Sequence, residues 1–67
     1  LIAGPNAPIT RRALHSIPEL HGLIRIGCVF RQGSWQLATG ATTLQPGDRA
    51  VCVCRAGNLP DLQNLFL

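Results

Sequence analysis

The sequence predicts a small α+β domain, with a mostly antiparallel sheet and short helices packed on one of its faces. Residues 23–31 and 34–39 alternate as the two strands of a hairpin, and residues 49–55 form an almost wholly apolar run typical of a strand. Residues 58–66 carry apolar side chains at helical spacing. The expected order is helix, hairpin, strand and helix, with one more short strand at the start.

The chain begins with a short apolar segment and a predicted first helix. Residues 1–3 resemble the end of an entering strand or a linker, which a Gly-Pro pair stops. Residues 8–16 predict a helix with Thr10 as its N-cap, and Pro18 stops it. A helix this short persists only when it packs on a sheet. Its apolar residues are expected on one side: Ile9, Ala13, Leu14 and Ile17.

A two-residue turn at Gln32 and Gly33 sets the expected register of the hairpin. This turn pairs Phe30 with Trp35 and places the large apolar side chains on one face. A type I turn with a glycine bulge would pair Phe30 with Ser34 and scatter that face. Gly33 is therefore expected to be a structural turn residue. The expected apolar face comprises Ile24, Ile26, Cys28, Phe30, Trp35 and Leu37, and the opposite face carries Leu23, Arg25, Gly27, Val29 and Arg31.

A rigid turn precedes the last predicted strand. Pro46 fixes its own φ, Gly47 can adopt a positive φ, and Asp48 can accept hydrogen bonds from backbone N–H groups as the turn closes. We assign these three residues to turn geometry, since a single carboxylate is a poor metal site. The strand at 49–55 is expected to be buried on both faces. A chain of 67 residues supplies helices for one face, so the second cover is expected from another subunit or domain.

Composition restricts the class of protein. The net charge of +3 comes from six arginines against Glu19, Asp48 and Asp61. Because the arginines are scattered and aromatic residues are few, nucleic acid is not an expected partner. The three cysteines lie in apolar segments without four-ligand zinc spacing, which predicts buried free thiols and a reducing, cytoplasmic setting. Residues 1–67 are expected to form a single domain excised from a longer chain.

The sequence contains no residue set typical of an enzyme. His15 is expected on a helix surface, and no serine or cysteine stands in the context of a nucleophile. The candidate ligand-binding residues are Glu19 and His21, in the loop before the hairpin, and Arg25 on its first strand. Arg25 and Arg31 share a face in the expected register and could meet a phosphate or carboxylate. A solvated loop and a cross-subunit salt bridge are simpler interpretations of these residues.

Three pieces of the chain, taken in order, resemble the RCK C-terminal (TrkA-C) domain of potassium transport regulators and related transporters. The first piece is the strand and turn IRIGCVFRQG at residues 24–33, and the second is LQPGDRAVCV at residues 44–53. The third is the short terminal helix at residues 59–66. Each piece is common by itself, so the resemblance depends on their order and spacing across nearly the whole chain.

This resemblance implies a cytoplasmic regulatory domain that senses a ligand and dimerises within a potassium or other ion transport system. The implied partners are a second copy of the chain and, through the parent chain, a transporter or channel subunit at the inner face of the membrane. Some similar domains bind cyclic di-AMP or a divalent cation near the dimer interface. No cofactor is expected in this domain, because nucleotide binding belongs to a preceding Rossmann-like domain and no Gly-x-Gly-x-x-Gly is present here.

Two other functions stay open from the sequence. The Leu-Gln-Pro-Gly-Asp turn at 44–48 also resembles a turn of PDZ peptide-binding domains, although the glycine-containing carboxylate-binding loop of those domains is missing here. A small basic β-rich domain could also bind nucleic acid, and such binding would weaken steeply with salt.

Overall fold

A computed structural model describes residues 1–22 and 24–67 of the chain. These residues form one antiparallel sheet in the strand order β2-β1-β3 and one α-helix, α1. The strands are β1 (Ile24–Arg31), β2 (Ser34–Leu37) and β3 (Arg49–Cys54), and α1 is Leu59–Phe66. Single-turn 3-10 helices occur at Pro8–Thr10, Leu14–Ser16, Pro18–Leu20 and Ala56–Asn58. The predicted α+β class is confirmed, whereas Leu23, predicted as the first residue of β1, lies outside the described residues.

The β1–β2 hairpin has the predicted register. Phe30 lies opposite Trp35, and the two central turn residues have φ values of 51° at Gln32 and 80° at Gly33. Positive φ at both central positions is the requirement of a type I′ turn, whose twist matches that of the flanking strands. Because glycine adopts this conformation without steric cost, Gly33 holds the turn that fixes the pairing. β2 ends at Leu37, before the predicted end at residue 39.

A β-bulge in β1 reverses the alternation of its side chains. The pairing with β3 shifts between Ile26 and Cys28, which leaves Gly27 as an extra residue. Ile24 is buried before the bulge and Val29 is buried after it, although their numbers differ in parity. The prediction of a single apolar hairpin face is therefore wrong, because one extra residue moves every later side chain to the other face. Four residues predicted to share a face with Ile24 and Ile26 lie instead on the other face of the sheet: Cys28, Phe30, Trp35 and Leu37.

β3 is an outer strand of the sheet, and β1 is the central one. The start of β3 pairs on its other side with the first residues of the chain through an isolated bridge, and these residues form no strand of their own. Ile2 forms an antiparallel bridge with Arg49, and the Ala50 N–H donates to the Leu1 carbonyl at 2.8 Å. This addition shields only the beginning of the β3 edge.

The side chains of β3 alternate between the core and solvent. Ala50 is buried, and Cys52 and Cys54 pack against the core. Val51 and Val53, in contrast, are 52% and 67% exposed. A single copy of the chain therefore buries one face of β3 and leaves the other face open, and cover of that second face by another subunit or domain stays a prediction.

The predicted helix at residues 8–16 is wrong, because this segment forms separate 3-10 turns. The N–H groups of Leu14 and His15 donate to the carbonyls of Thr42 and Gly40, at 2.9 and 3.0 Å. These long-range bonds hold the segment against the loop after β2 and replace helical hydrogen bonds. Thr10 is not an N-cap, since its hydroxyl donates to a carbonyl of its own turn at 2.7 Å. The predicted inward residues Ile9, Leu14 and Ile17 are nevertheless buried.

The terminal helix α1 covers the core face of the sheet. It has Pro60 in its first turn and buries Leu62, Leu65 and Phe66. Its last turn is held by the Gly4 N–H, which donates to the Phe66 carbonyl at 2.9 Å. The helices, the first residues of the chain and one sheet face thus enclose the core, and the other sheet face remains at the surface. None of the helices in the described part of the chain has the length and hydropathy needed to cross a membrane.

Candidate functional site

The uncovered side of the sheet is an apolar surface that we call the open face. Its most exposed side chains are Leu37 at 81%, Val53 at 67%, Trp35 at 56% and Val51 at 52%. No other part of the described chain packs over it. A contiguous exposed apolar patch on a small domain is typical of an interaction surface. The open face comprises Cys28, Phe30, Trp35, Leu37, Val51 and Val53.

An aromatic pair and two arginines give the open face the composition of a protein interface. The rings of Phe30 and Trp35 have centroids 4.9 Å apart and are tilted by 53°, a favourable aromatic geometry that also makes the pair rigid. Arg49 lies opposite Phe30, and Arg25 lies opposite Val53 near the other end of the β1–β3 ladder. An apolar, aromatic centre with charges at its rim is the usual arrangement of protein interfaces.

The turn before β3 is held by backbone geometry. The Asp48 N–H donates to the Gln45 carbonyl at 3.0 Å, with Pro46 and Gly47 as the two central residues. Gly47 has a φ of 89°. Proline followed by a residue with positive φ defines a type II turn, which explains why these residue types occupy positions 46 and 47.

A buried ion pair fixes this turn to the hairpin. Asp48 is only 4% exposed, and its carboxylate accepts hydrogen bonds from Arg31 Nε at 3.0 Å and from Arg31 Nη2 at 2.7 Å. The Gln45 N–H also donates to the carboxylate, at 2.9 Å, and Arg31 Nη2 donates to the Thr43 carbonyl at 3.0 Å. The expectation that Arg31 shares a face with Arg25 is wrong, because the bulge turns Arg31 toward the core side and into this pair.

The ion pair alters the ionisation of both partners. Burial by itself would raise the pKa of Asp48, but the hydrogen bonds from Arg31 and the Gln45 N–H, with the arginine charge, hold it below its ordinary value. The same hydrogen bond to Asp48 raises the pKa of Arg31. Both groups therefore stay charged at neutral pH, and their role is to join the turn to β1.

A cleft of about 230 Å³ lies beside the start of β1. It brings together two of the predicted binding residues, His21 and Arg25, and adds His15 from the preceding turn. The third predicted residue, Glu19, lines a separate depression with Asp61. The structure therefore separates Glu19 from His21 and Arg25. Apolar side chains also line the cleft: Leu14, Leu20, Ile26 and Ala38.

The two histidines of the cleft are connected through the backbone. His21 Nε2 lies 2.7 Å from the His15 carbonyl oxygen, and because a carbonyl can only accept, Nε2 carries the hydrogen. His15 Nδ1 lies 3.3 Å from the Ser16 hydroxyl, so the other ring nitrogen of His15 faces away from this contact. The Arg25 side chain forms no hydrogen bond or ion pair with any residue that the structure describes. Its five N–H donors are thus available to a ligand.

Sequence reasoning missed His15 because it assumed a helix in this segment. His15 is exposed, as expected of a surface residue, but it lies on a 3-10 turn and not on a helix from 8 to 16. The hydrogen bonds to Thr42 and Gly40 place His15 against the loop after β2. The approach is so close that a Cβ at position 40 would lie 3.2 Å from the His15 Cβ. One sequence feature could have indicated that the two histidines lie close together: Pro18 begins a new 3-10 turn between His15 and His21.

Cys52 and Cys54 pack against the core, and Cys28 lies on the open face. All three thiols are free and half-buried, and burial raises the pKa of the Cys52 thiol, which therefore stays protonated and unreactive. Within the described ranges, no three His, Cys, Asp or Glu side chains are grouped closely enough to hold a metal ion.

Comparison with known proteins finds no family profile that matches the chain, and no curated protein matches it. The resemblance to the RCK C-terminal domain thus depends on the residues of the three sequence pieces alone.

Proposed function

We propose that this chain is a regulatory domain of a potassium or other ion transport system, which senses a ligand and pairs with a second copy of itself. The single observation that carries the proposal is the open face, an apolar and aromatic surface that the chain leaves exposed. Its middle row is apolar, the Phe30–Trp35 pair lies at the hairpin end, and an arginine lies near each end of the β1–β3 ladder, a combination typical of protein interfaces. The ordered resemblance to the RCK C-terminal domain supplies the transport system and a cytoplasmic location at the membrane.

A second copy is the partner that best fits this face. The most exposed open-face residues, Leu37 and Val53, come from the two outer strands of the sheet. Two such sheets packed face to face would bury both strands and supply the second cover that β3 lacks. Arg25 and Arg49 would remain at the ends of the ladder, in contact with water, so pairing requires no buried unpaired charge.

The first experiment measures pairing by sedimentation equilibrium. We expect the wild-type chain to dimerise at micromolar concentration, and Leu37→Gln to weaken dimerisation by at least about tenfold in Kd, since a polar group would enter the apolar centre. Leu67→Gln is the matched control, because Leu67 is 78% exposed at the end of the chain and lies outside the open face. A wild-type monomer at high micromolar concentration would contradict the pairing, and so would equal effects of the two variants.

The second experiment tests the transport role in cells that carry the complete parent protein. Uptake of rubidium, as a potassium substitute, is measured with Leu37→Gln and with Leu67→Gln. We expect Leu37→Gln to change the rate or the regulation of uptake and Leu67→Gln to leave both unchanged. Normal regulated uptake in both strains, with dimerisation lost in vitro, would separate the pairing from any transport function.

A further inference from the structure

We infer that the cleft beside β1 binds a small phosphate monoester, with the phosphate held at Arg25 and His15 and an apolar group held against the cleft floor. The site rests on the proposed ligand-sensing function and gives it a ligand class. It differs from the set expected from the sequence, because Glu19 lies elsewhere and His15 is included.

The charge of the cleft favours an anion. Its ionisable side chains are His15, His21 and Arg25, and no carboxylate of the described residues lines it. The Arg25 side chain has no hydrogen-bond or ion-pair partner among the described residues, and a guanidinium binds phosphate through two parallel N–H donors. His15 contributes a ring nitrogen away from its Ser16 contact. A divalent cation, in contrast, needs oxygen ligands, and both Glu19 and Asp61 line the other depression.

The floor of the cleft favours a ligand that also has an apolar part. Leu14 is buried, and Leu20, Ile26 and Ala38 are partly buried and pack against the core. A bare inorganic anion would leave this surface wet, whereas a small ring or alkyl group would remove it from water. The volume of about 230 Å³ is below the roughly 300–1,000 Å³ of pockets for drug-sized ligands. The cleft of one copy therefore fits a monoester with a small apolar group.

The site is framed by elements that are fixed independently of any ligand. The His21 ring is held at the His15 carbonyl, and the His15 N–H is held at Gly40. Ala38, the first residue after β2, donates its N–H to the Gly27 carbonyl in the bulge at 2.9 Å. The two loops that form the walls are thus tied to each other and to β1. A ligand would lose little affinity to ordering of the protein.

The test is a titration of the full chain, observed by ¹H–¹⁵N NMR, with phenyl phosphate as the probe. We expect the largest shifts at the amides of His15, His21 and Gly40. Phenyl phosphate should bind about tenfold or more tightly than inorganic phosphate, because its ring covers the apolar floor. Benzoate should bind more weakly than phenyl phosphate, since a carboxylate has fewer oxygens and less charge for Arg25 and His15.

Two arginine variants identify the site. Arg25→Gln should weaken phenyl phosphate binding by about tenfold or more, whereas Arg55→Gln, an exposed arginine outside the cleft, should leave it unchanged. The sedimentation of each variant is recorded in parallel, so a loss of pairing is recognised separately from a loss of ligand. Equal effects of the two variants would overturn the site, as would shifts confined to residues outside the cleft or equal binding of phosphate and phenyl phosphate.

Discussion

The Asp48 carboxylate joins two parts of the chain that are distant in sequence. It accepts hydrogen bonds from Arg31, at the end of β1, and from the Gln45 N–H within its own turn. The residues that meet there, Arg31 and Asp48, are 17 positions apart. A carboxylate is required, because a neutral side chain cannot offer two charged oxygens to the guanidinium.

Replacement of Asp48 by asparagine should therefore destabilise the fold. We expect Asp48→Asn to lower the free energy of unfolding by about 2 kcal/mol, because charge-assisted bonds are lost and the buried amide is left incompletely paired. Urea denaturation at low temperature measures the change. Glu19→Gln is the control: Glu19 is exposed, so its loss should stay within about 0.5 kcal/mol. A similar loss in both variants would show that the Asp48 pair adds nothing to stability.

Stability should also fall in acid, through the same carboxylate. The folded pKa of Asp48 lies below its ordinary value of 3.8. The unfolded state therefore binds a proton first, and the contribution of Asp48 is complete above pH about 4 and is lost as the pH falls toward the folded pKa. The difference in unfolding free energy between wild type and Asp48→Asn should shrink over that interval. A difference that stays constant from neutral pH into this interval would contradict the ionised pair.

Local turn chemistry determines which elements of the fold were predictable from sequence. The type II turn follows from Pro46 and Gly47 alone, and the hairpin register follows from the turn at Gln32 and Gly33 together with the pairing of Phe30 and Trp35 close to it. The bulge at Gly27 depends on the pairing of β1 with the distant β3. No pattern of adjacent residues marks this bulge. The sequence therefore predicts the wrong face of the sheet for the β1 residues that follow Gly27.

The contrast between local and long-range interactions also explains why the first helix was predicted wrongly and why the candidate site was predicted only in part. Residues 8–16 have helical periodicity, but their hydrogen bonds go to Gly40 and Thr42, which a local pattern does not reveal. His21 and Arg25 could be grouped from sequence because they are near neighbours in the chain. The placement of His15 in the cleft and of Glu19 outside it depends on these long-range bonds, and so could not be predicted.

A pair of glycine substitutions tests the importance of the turn before β3. Gly47→Ala should destabilise the fold by about 1 kcal/mol, because φ is 89° there and a Cβ disfavours that conformation. Gly57→Ala is the matched control: a Cβ there meets nothing within 4 Å, and its φ lies outside the positive region. The control should be neutral or slightly stabilising. Thermal unfolding followed by circular dichroism measures both, and an equally mild effect at Gly47 would show that the turn adopts another geometry.

At the scale of the whole molecule, one small sheet has two different faces. The core face is covered by α1 and the 3-10 turns, and the open face presents its apolar residues to solvent. The described residues cover only the first of these faces. The apolar run at 49–55 favours a covered second face, which the proposed pairing would supply, even though the inward side chains of β3 are the cysteines and Ala50.

The dependence of pairing on salt distinguishes the open face from an interface made of ion pairs. Each copy carries a net charge of +3, and Arg25 and Arg49 lie at the rim of the open face. Two copies therefore repel at long range while their apolar centres attract. Raising sodium chloride from about 10 mM to about 150 mM shortens the screening length from about 30 Å to about 8 Å and should strengthen dimerisation. Sedimentation equilibrium at the two salt concentrations measures the change in Kd.

Arg49→Gln provides the internal comparison for this effect. The substitution removes one rim charge per copy, so dimerisation at low salt should become tighter than in the wild type, and the response to salt should become smaller. Phenyl phosphate binding to the cleft should respond in the opposite direction and weaken as salt rises, since it joins opposite charges. Dimerisation that weakens with salt would instead indicate ion pairs between the copies. In that case the two copies would pair through the surface that carries Glu19 and Asp61, which would contact arginines of the second copy, and not through the open face.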